Sequence, residues 1–185
     1  MKFIIIGSST GGPRILFEIF NNFPKIQAAV IIVQHMPAST TPRLAKRLMQ
    51  LTENEIVIPE DRIPISQGTI YIAKGDLHLI FENNEIIRLK NSEKVNFVRP
   101  SIDVSMLSFQ RDIRNSILGI VLSGMGVDGA EGLAHLKNIG AVTAVQDPIT
   151  CTIQSMPEAA LKTGRVDHIL SPKNIQNLIL KFSES

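Results

Sequence analysis

Residues 7–12 read GSSTGG, between the apolar run KFIII and the segment PRILFEIF. Within them Gly7, Ser8, Ser9, Thr10 and Gly11 spell G-x-S-x-G, the spacing of a nucleophile elbow. In such a turn the glycines let the backbone reverse sharply after a strand, which lifts the central side chain, Ser9, clear of the sheet. A serine hydroxyl is a weak nucleophile and needs a base beside it. His35, in VQHMP, has the residue type of that base. Asp128, in SGMGVDGA, and Asp147, in AVQD, have the type of the acid that orients it. A phosphate cradle does not fit the same loop, because a P-loop needs Lys-Ser/Thr after its last glycine and Pro13 and Arg14 stand there. The dinucleotide pattern G-x-G-x-x-G does not match either, so no cofactor is expected. A plain tight turn remains open beside the elbow.

These side chains can work together only if the fold brings their loops to one edge. KFIII (residues 2–6) reads as a buried strand, and a helix starts at Pro13 with Leu16, Ile19, Phe20 and Phe23 on one face. AAVIIVQ is a second buried strand, so this part has the βαβ signature of parallel pairing. TPRLAKRLMQ reads as helical. GTIYIA, LHLIF and EIIRLK read as short strands of a small antiparallel hairpin section around residues 56–90, with a tight turn at Asn83-Asn84. SIDVSMLSFQRDI suggests a helix with Ser101 or Asp103 near its cap, and SILGIVLSG a third buried strand. DGAEGLAHLKNIG is a helix closed by Gly140, AVTAVQD a fourth strand, and MPEAALKTG a short helix starting at Pro157. VDHIL and the capped helix SPKNIQNLILKF complete the alternation. The expected fold is α/β: one doubly wound domain over residues 1–185, its sheet mostly parallel and flanked by helices. Ligands of such sheets bind beyond the carboxyl ends of the strands, and all four candidates fall at that edge.

His78, His135 and His168 are expected in a hairpin, inside a helix and within a strand, and are read as structural. No histidine pair has ligand spacing together with a carboxylate, so no metal is expected. Pattern reasoning does not choose between Asp128 and Asp147, although the glycines around Asp128 imply an unusual backbone there.

The 185 residues are 44% hydrophobic and 19% charged, ordinary for a soluble globular protein. No apolar run is long enough to span a bilayer, and no signal peptide is evident, so no membrane insertion is expected. Cys151 is the only cysteine, which fits a reducing, cytoplasmic setting. The net charge of +2 and the lack of tryptophan argue against a nucleic-acid partner. One local excess, Arg43, Lys46 and Arg47 in PRLAKRL, reads either as a solvated helix face or as a patch for an acidic partner.

Together, IIIGSSTGG, VQHMP, GTIYIA, RPSIDV, LSGMGVDGAEGL, AVQD and MPEAAL resemble, in order, the catalytic domain of the chemotaxis protein-glutamate methylesterase (CheB) family. The resemblance implies hydrolysis of glutamate γ-methyl esters on the cytoplasmic helices of methyl-accepting chemoreceptors, with release of methanol, and also glutamine deamidation. It implies Ser9 as nucleophile, His35 as base and Asp128, rather than Asp147, as acid. It also implies an oxyanion hole from the backbone N–H groups of Thr10 and Met125. The chain departs from the family at Ser8, at Ala38-Ser39-Thr40 and at Gln154-Ser155, which bears on receptor choice. It starts at the first catalytic strand, without the family's usual receiver domain. The expectation is therefore a standalone esterase or an excised catalytic part, controlled by a separate regulatory protein. Two other readings stand beside it: a hydrolase of the same fold for another ester or amide, and a non-catalytic chemosensory docking module.

Overall fold

The computed structural model describes residues 1–185. In chain order the elements are β1 (Lys2–Ser8), α1 (Gly12–Ile19), β2 (Ala29–Gln34), α2 (Thr41–Leu48), β3 (Glu55–Val57), β4 (Ile63–Pro64), β5 (Thr69–Ile72), β6 (His78–Glu82) and β7 (Ile86–Lys90). They continue with α3 (Ile102–Leu107), β8 (Ser116–Val121), α4 (Ala130–Asn138), β9 (Val142–Gln146), α5 (Ser155–Lys162), β10 (His168–Leu170) and α6 (Pro172–Glu184).

Seven strands form one parallel sheet in the order β10-β9-β8-β1-β2-β5-β3. Its central strands are continuous β-branched or apolar runs because both faces are covered. Along β1, Phe3 and Ile5 face one apolar layer while Ile4 and Ile6 face the other. The first layer packs α3, α4 and α5 with the small sheet, and the second packs α1, α2 and α6. The chain thus leaves β1 towards one face and β8 towards the other. That places the topological switch between two adjacent strands, where open α/β sheets leave a crevice at their carboxyl ends.

The antiparallel section is a three-stranded sheet, β4-β7-β6, with Asn83 and Asn84 at φ +53° and +58° in the turn between β6 and β7. GTIYIA does not belong to it: β5 pairs in parallel with β2 and carries the short edge strand β3. The reason is burial. All four residues of β5 are buried, as a strand inside a two-faced sheet requires and an exposed hairpin strand does not. The helix expected over SIDVSMLSFQRDI stops at Leu107, and α5 begins at Ser155, two residues before Pro157, which sits in the first turn where its missing N–H costs nothing. No helix is long and apolar enough to cross a membrane.

Candidate active site

Ser9 directly follows β1. Its amide donates to the Ser123 carbonyl at 3.0 Å, and the Gly12 amide donates to the Ser9 carbonyl at 2.8 Å, which closes the turn. Gly11 makes the reversal possible: its φ of +82° is left-handed, and α1 begins at the next residue. Beneath the turn, Ser8 is fully buried and donates its hydroxyl to Gln34 Oε1 at 2.5 Å. Gln34 Nε2 donates to the carbonyls of Ser9 and His35, each at 3.0 Å. One glutamine therefore ties the elbow to the end of β2, where the His35 amide also donates to the Ser8 carbonyl at 3.0 Å. Ser9 itself is tied through its backbone, while its hydroxyl is left without a protein partner.

His35 Nε2 stands 2.7 Å from Asp128 Oδ2, and Asp128 is only 2% exposed. The same carboxylate accepts from the Ile102 amide (2.6 Å), Ser101 Oγ (2.7 Å), Asn96 Nδ2 (2.9 Å) and the Asp103 amide (3.2 Å). Burial pushes the Asp128 carboxyl up, but the hydrogen bonds from His35, Asn96, Ile102 and Ser101 outweigh it and hold the group below its ordinary value. Asp103, also buried, goes the other way. Burial and the Asp128 charge raise its carboxyl, although the Gly132 and Gly129 amides and Asn96 Nδ2 all donate to it. Asn96 bridges the pair, one side-chain amide serving both carboxylates.

An ionised Asp128 at Nε2 fixes the imidazole tautomer: Nε2 carries the proton and Nδ1 presents its lone pair. Ser9 and His35 line one cavity of about 760 Å³, with Asp128 set behind the ring. Thr10 lines this space, and neither its amide nor that of Met125 donates to a protein acceptor. Gly124, which precedes Met125, lies against the elbow, since a Cβ there would lie 2.7 Å from Ser9 Cβ. Side chains able to hold a metal ion are not clustered anywhere.

Asp147 lies apart from this group. Its carboxylate accepts from the Ile149 amide at 3.1 Å and caps the 3-10 turn Pro148–Thr150. His78 bonds the Glu93 carbonyl and accepts from the Ser101 amide, His135 bonds the Phe109 carbonyl, and His168 lies exposed in β10. Sequence reasoning missed Gln34, Asn96 and Asp103. Gln34 precedes the histidine and Asp103 lies in RPSIDV, both inside segments that looked familiar, but Asn96 carried no signal at all.

Fold and site together define a doubly wound α/β domain with an elbow serine and a carboxylate-bound histidine at its switch-point crevice. A family model described as CheB methylesterase matches residues 4–179. The chain belongs to the CheB methylesterase family. The Protein-glutamate methylesterase/protein-glutamine glutaminase of Hydrogenovibrio crunogenus is 39% identical over 97% of this chain and 48% of that protein. The protein of the same name from Clostridium acetobutylicum is 35% identical over 97% of this chain and 52% of its own length. The crystal structure of the Thermotoga maritima CheB methylesterase catalytic domain superposes with a TM-score of 0.90 at 34% identity, over 97% of both chains. The chain thus spans about half the length of the curated relatives it matches.

Proposed function

We propose that residues 1–185 form one catalytic unit that hydrolyses glutamate γ-methyl esters in proteins, acting in the cytoplasm on the helices of methyl-accepting chemoreceptors. The reading is supported by one observation above the rest: His35 is held at Nε2 by an ionised, buried Asp128 beside an elbow serine whose hydroxyl is free. The relatives' names supply the substrate class, and add the side-chain amide of glutamine.

In the reaction Ser9 Oγ attacks the ester carbonyl carbon while His35 Nδ1 takes its proton. The Thr10 and Met125 amides receive the oxyanion, each donor contributing roughly 2.7–4 kcal/mol. The imidazolium then protonates the leaving methoxide oxygen, and methanol departs. Water, deprotonated by His35, attacks the glutamyl ester on Ser9. The acyl–Oγ bond breaks, the imidazolium returns its proton to Ser9 Oγ, and the free carboxylate is released. The imidazolium that forms twice is stabilised by Asp128.

The test is methanol release from methyl-labelled receptor. Ser9→Ala is expected to lower it by at least roughly 10⁴-fold. Ser8→Ala is expected to retain most turnover and to lose about 1 kcal/mol of stability, because Gln34 Oε1 is left without a donor. Equal losses in both variants would overturn the elbow assignment. Hydrolysis of a generic ester with no methanol from receptor would move the substrate elsewhere.

A further inference from the structure

The cavity that holds Ser9 and His35 continues along the outer face of α2. Arg43, Lys46 and Arg47 stand at i, i+3 and i+4, so they share that face, and they line the cavity together with Gln50, two residues beyond the end of α2. The three cations are exposed, and the ion pairs of the molecule are formed by other residues. No Asp or Glu lines the cavity, so nothing in the wall offsets them. Arg47 is already oriented: it donates to Gln50 Oε1 at 2.9 Å, and its guanidinium carbon lies 5.9 Å from the Phe17 ring centroid. In a chain whose net charge is only +2, three unpaired cations on one eight-residue helix beside the reacting serine are a local concentration of charge.

A neutral methyl ester offers these cations no charge to pair with. Their charge is complemented by anionic parts of a substrate that extend beyond the reacting group. We infer that the Arg43–Lys46–Arg47 face is a substrate subsite for carboxylates flanking the reacting glutamyl ester on an acidic polypeptide. This rests on the hydrolase reading of Ser9. The subsite selects a methylated glutamate by its acidic surroundings, and it acts on binding rather than on the chemical step. Its attraction is screened, because the side chains are exposed and the Debye length is about 8 Å at physiological salt.

Two synthetic peptides test it, each with one central glutamate γ-methyl ester, flanked in one by glutamates and in the other by alanines. At low salt the acidic peptide is expected to show roughly tenfold higher kcat/KM, through KM, as three weak exposed pairs would produce. The preference should shrink at high salt and approach unity in the triple variant Arg43→Gln, Lys46→Gln, Arg47→Gln. It should persist in the double variant Lys162→Gln, Arg165→Gln, whose cations lie outside the cavity wall. No preference in the wild type, or a preference kept by the triple variant, would overturn the subsite. If neither peptide releases methanol, the hydrolase reading fails instead. Anisotropy of the labelled acidic peptide then decides the subsite alone: binding lost in the triple variant upholds it, and binding unchanged or absent overturns it.

Discussion

His35 meets its carboxylate through Nε2, which leaves Nδ1 free of that partner and, in the proposed reaction, available to Ser9. Asp128→Asn would place an N–H donor against Nε2 and drive the ring proton onto Nδ1, where it blocks the base. Methanol release should fall by roughly 10⁴-fold with the fold retained. The same substitution has a signed dependence on pH. The Asp128 carboxyl is held below its unfolded value of about 3.9, so its charge stabilises the fold above that pH and the contribution fades as pH falls through the lower folded value. The stability deficit of Asp128→Asn should therefore be greatest at neutral pH and shrink below about pH 4, as read from urea midpoints. Relief of Asp103, whose carboxyl is raised by burial and by the Asp128 charge, offsets part of that deficit. A deficit that grew on acidification would contradict the assigned charge state.

The elements around the site hold one another by their ends. Ser101, at the cap of α3, and the amides of Ile102 and Asp103 in its first turn all donate to Asp128. Asp103, from the same turn, accepts from the Gly129 and Gly132 amides at the start of α4. Such donors have no partner within their own helix, and the two carboxylates supply it across the gap. The loop from β8 to α4 is thereby pinned at its far end, while Gly124 presses its near end against Ser9. Gly124→Ala would set a methyl group against Ser9 Cβ and the Met156 sulfur, and one of the three must move. A loss of about 1–3 kcal/mol is expected from overpacking. Because the displaced backbone carries the Met125 amide, turnover should drop more than stability alone explains. Thermal melts together with methanol release separate the two effects.

Across the molecule the site depends on two layers packed against opposite faces of one sheet, with the crevice at the point where the chain changes face. The last helix belongs to this support although it touches no site residue named above. Ile175 and Ile179 of α6 are fully buried in the layer that also holds α1, and Gln176 Nε2 donates to the Ile19 carbonyl at the end of α1 at 2.8 Å. Burying two such side chains contributes about 3–6 kcal/mol, a large share of a typical stability of about 5–15 kcal/mol. Removal of residues 171–185 is therefore expected to give insoluble or non-cooperatively unfolding protein. A truncated chain with an unchanged urea midpoint would show that α6 is dispensable.

Local pattern was enough to reveal the alternation of strands and helices, the G-x-S-x-G turn and the histidine at a strand tip, because each is written in consecutive residues. It also placed Asp128 and Asp147 at the same edge, and left the choice between them to family likeness. Only the folded chain set Asp128 at 2.7 Å from His35 and Asp147 on its own turn. Only the fold showed that Thr69–Ile72 is an interior strand of the main sheet. It alone revealed Gln34, Asn96 and Asp103 as the supports of the site, and joined the cations of α2 to the cavity of Ser9. The division has a physical cause. Periodicity and turn chemistry act between near neighbours in the chain, whereas His35 and Asp128 are 93 residues apart and meet only because the sheet order brings β2 and β8 to either side of β1.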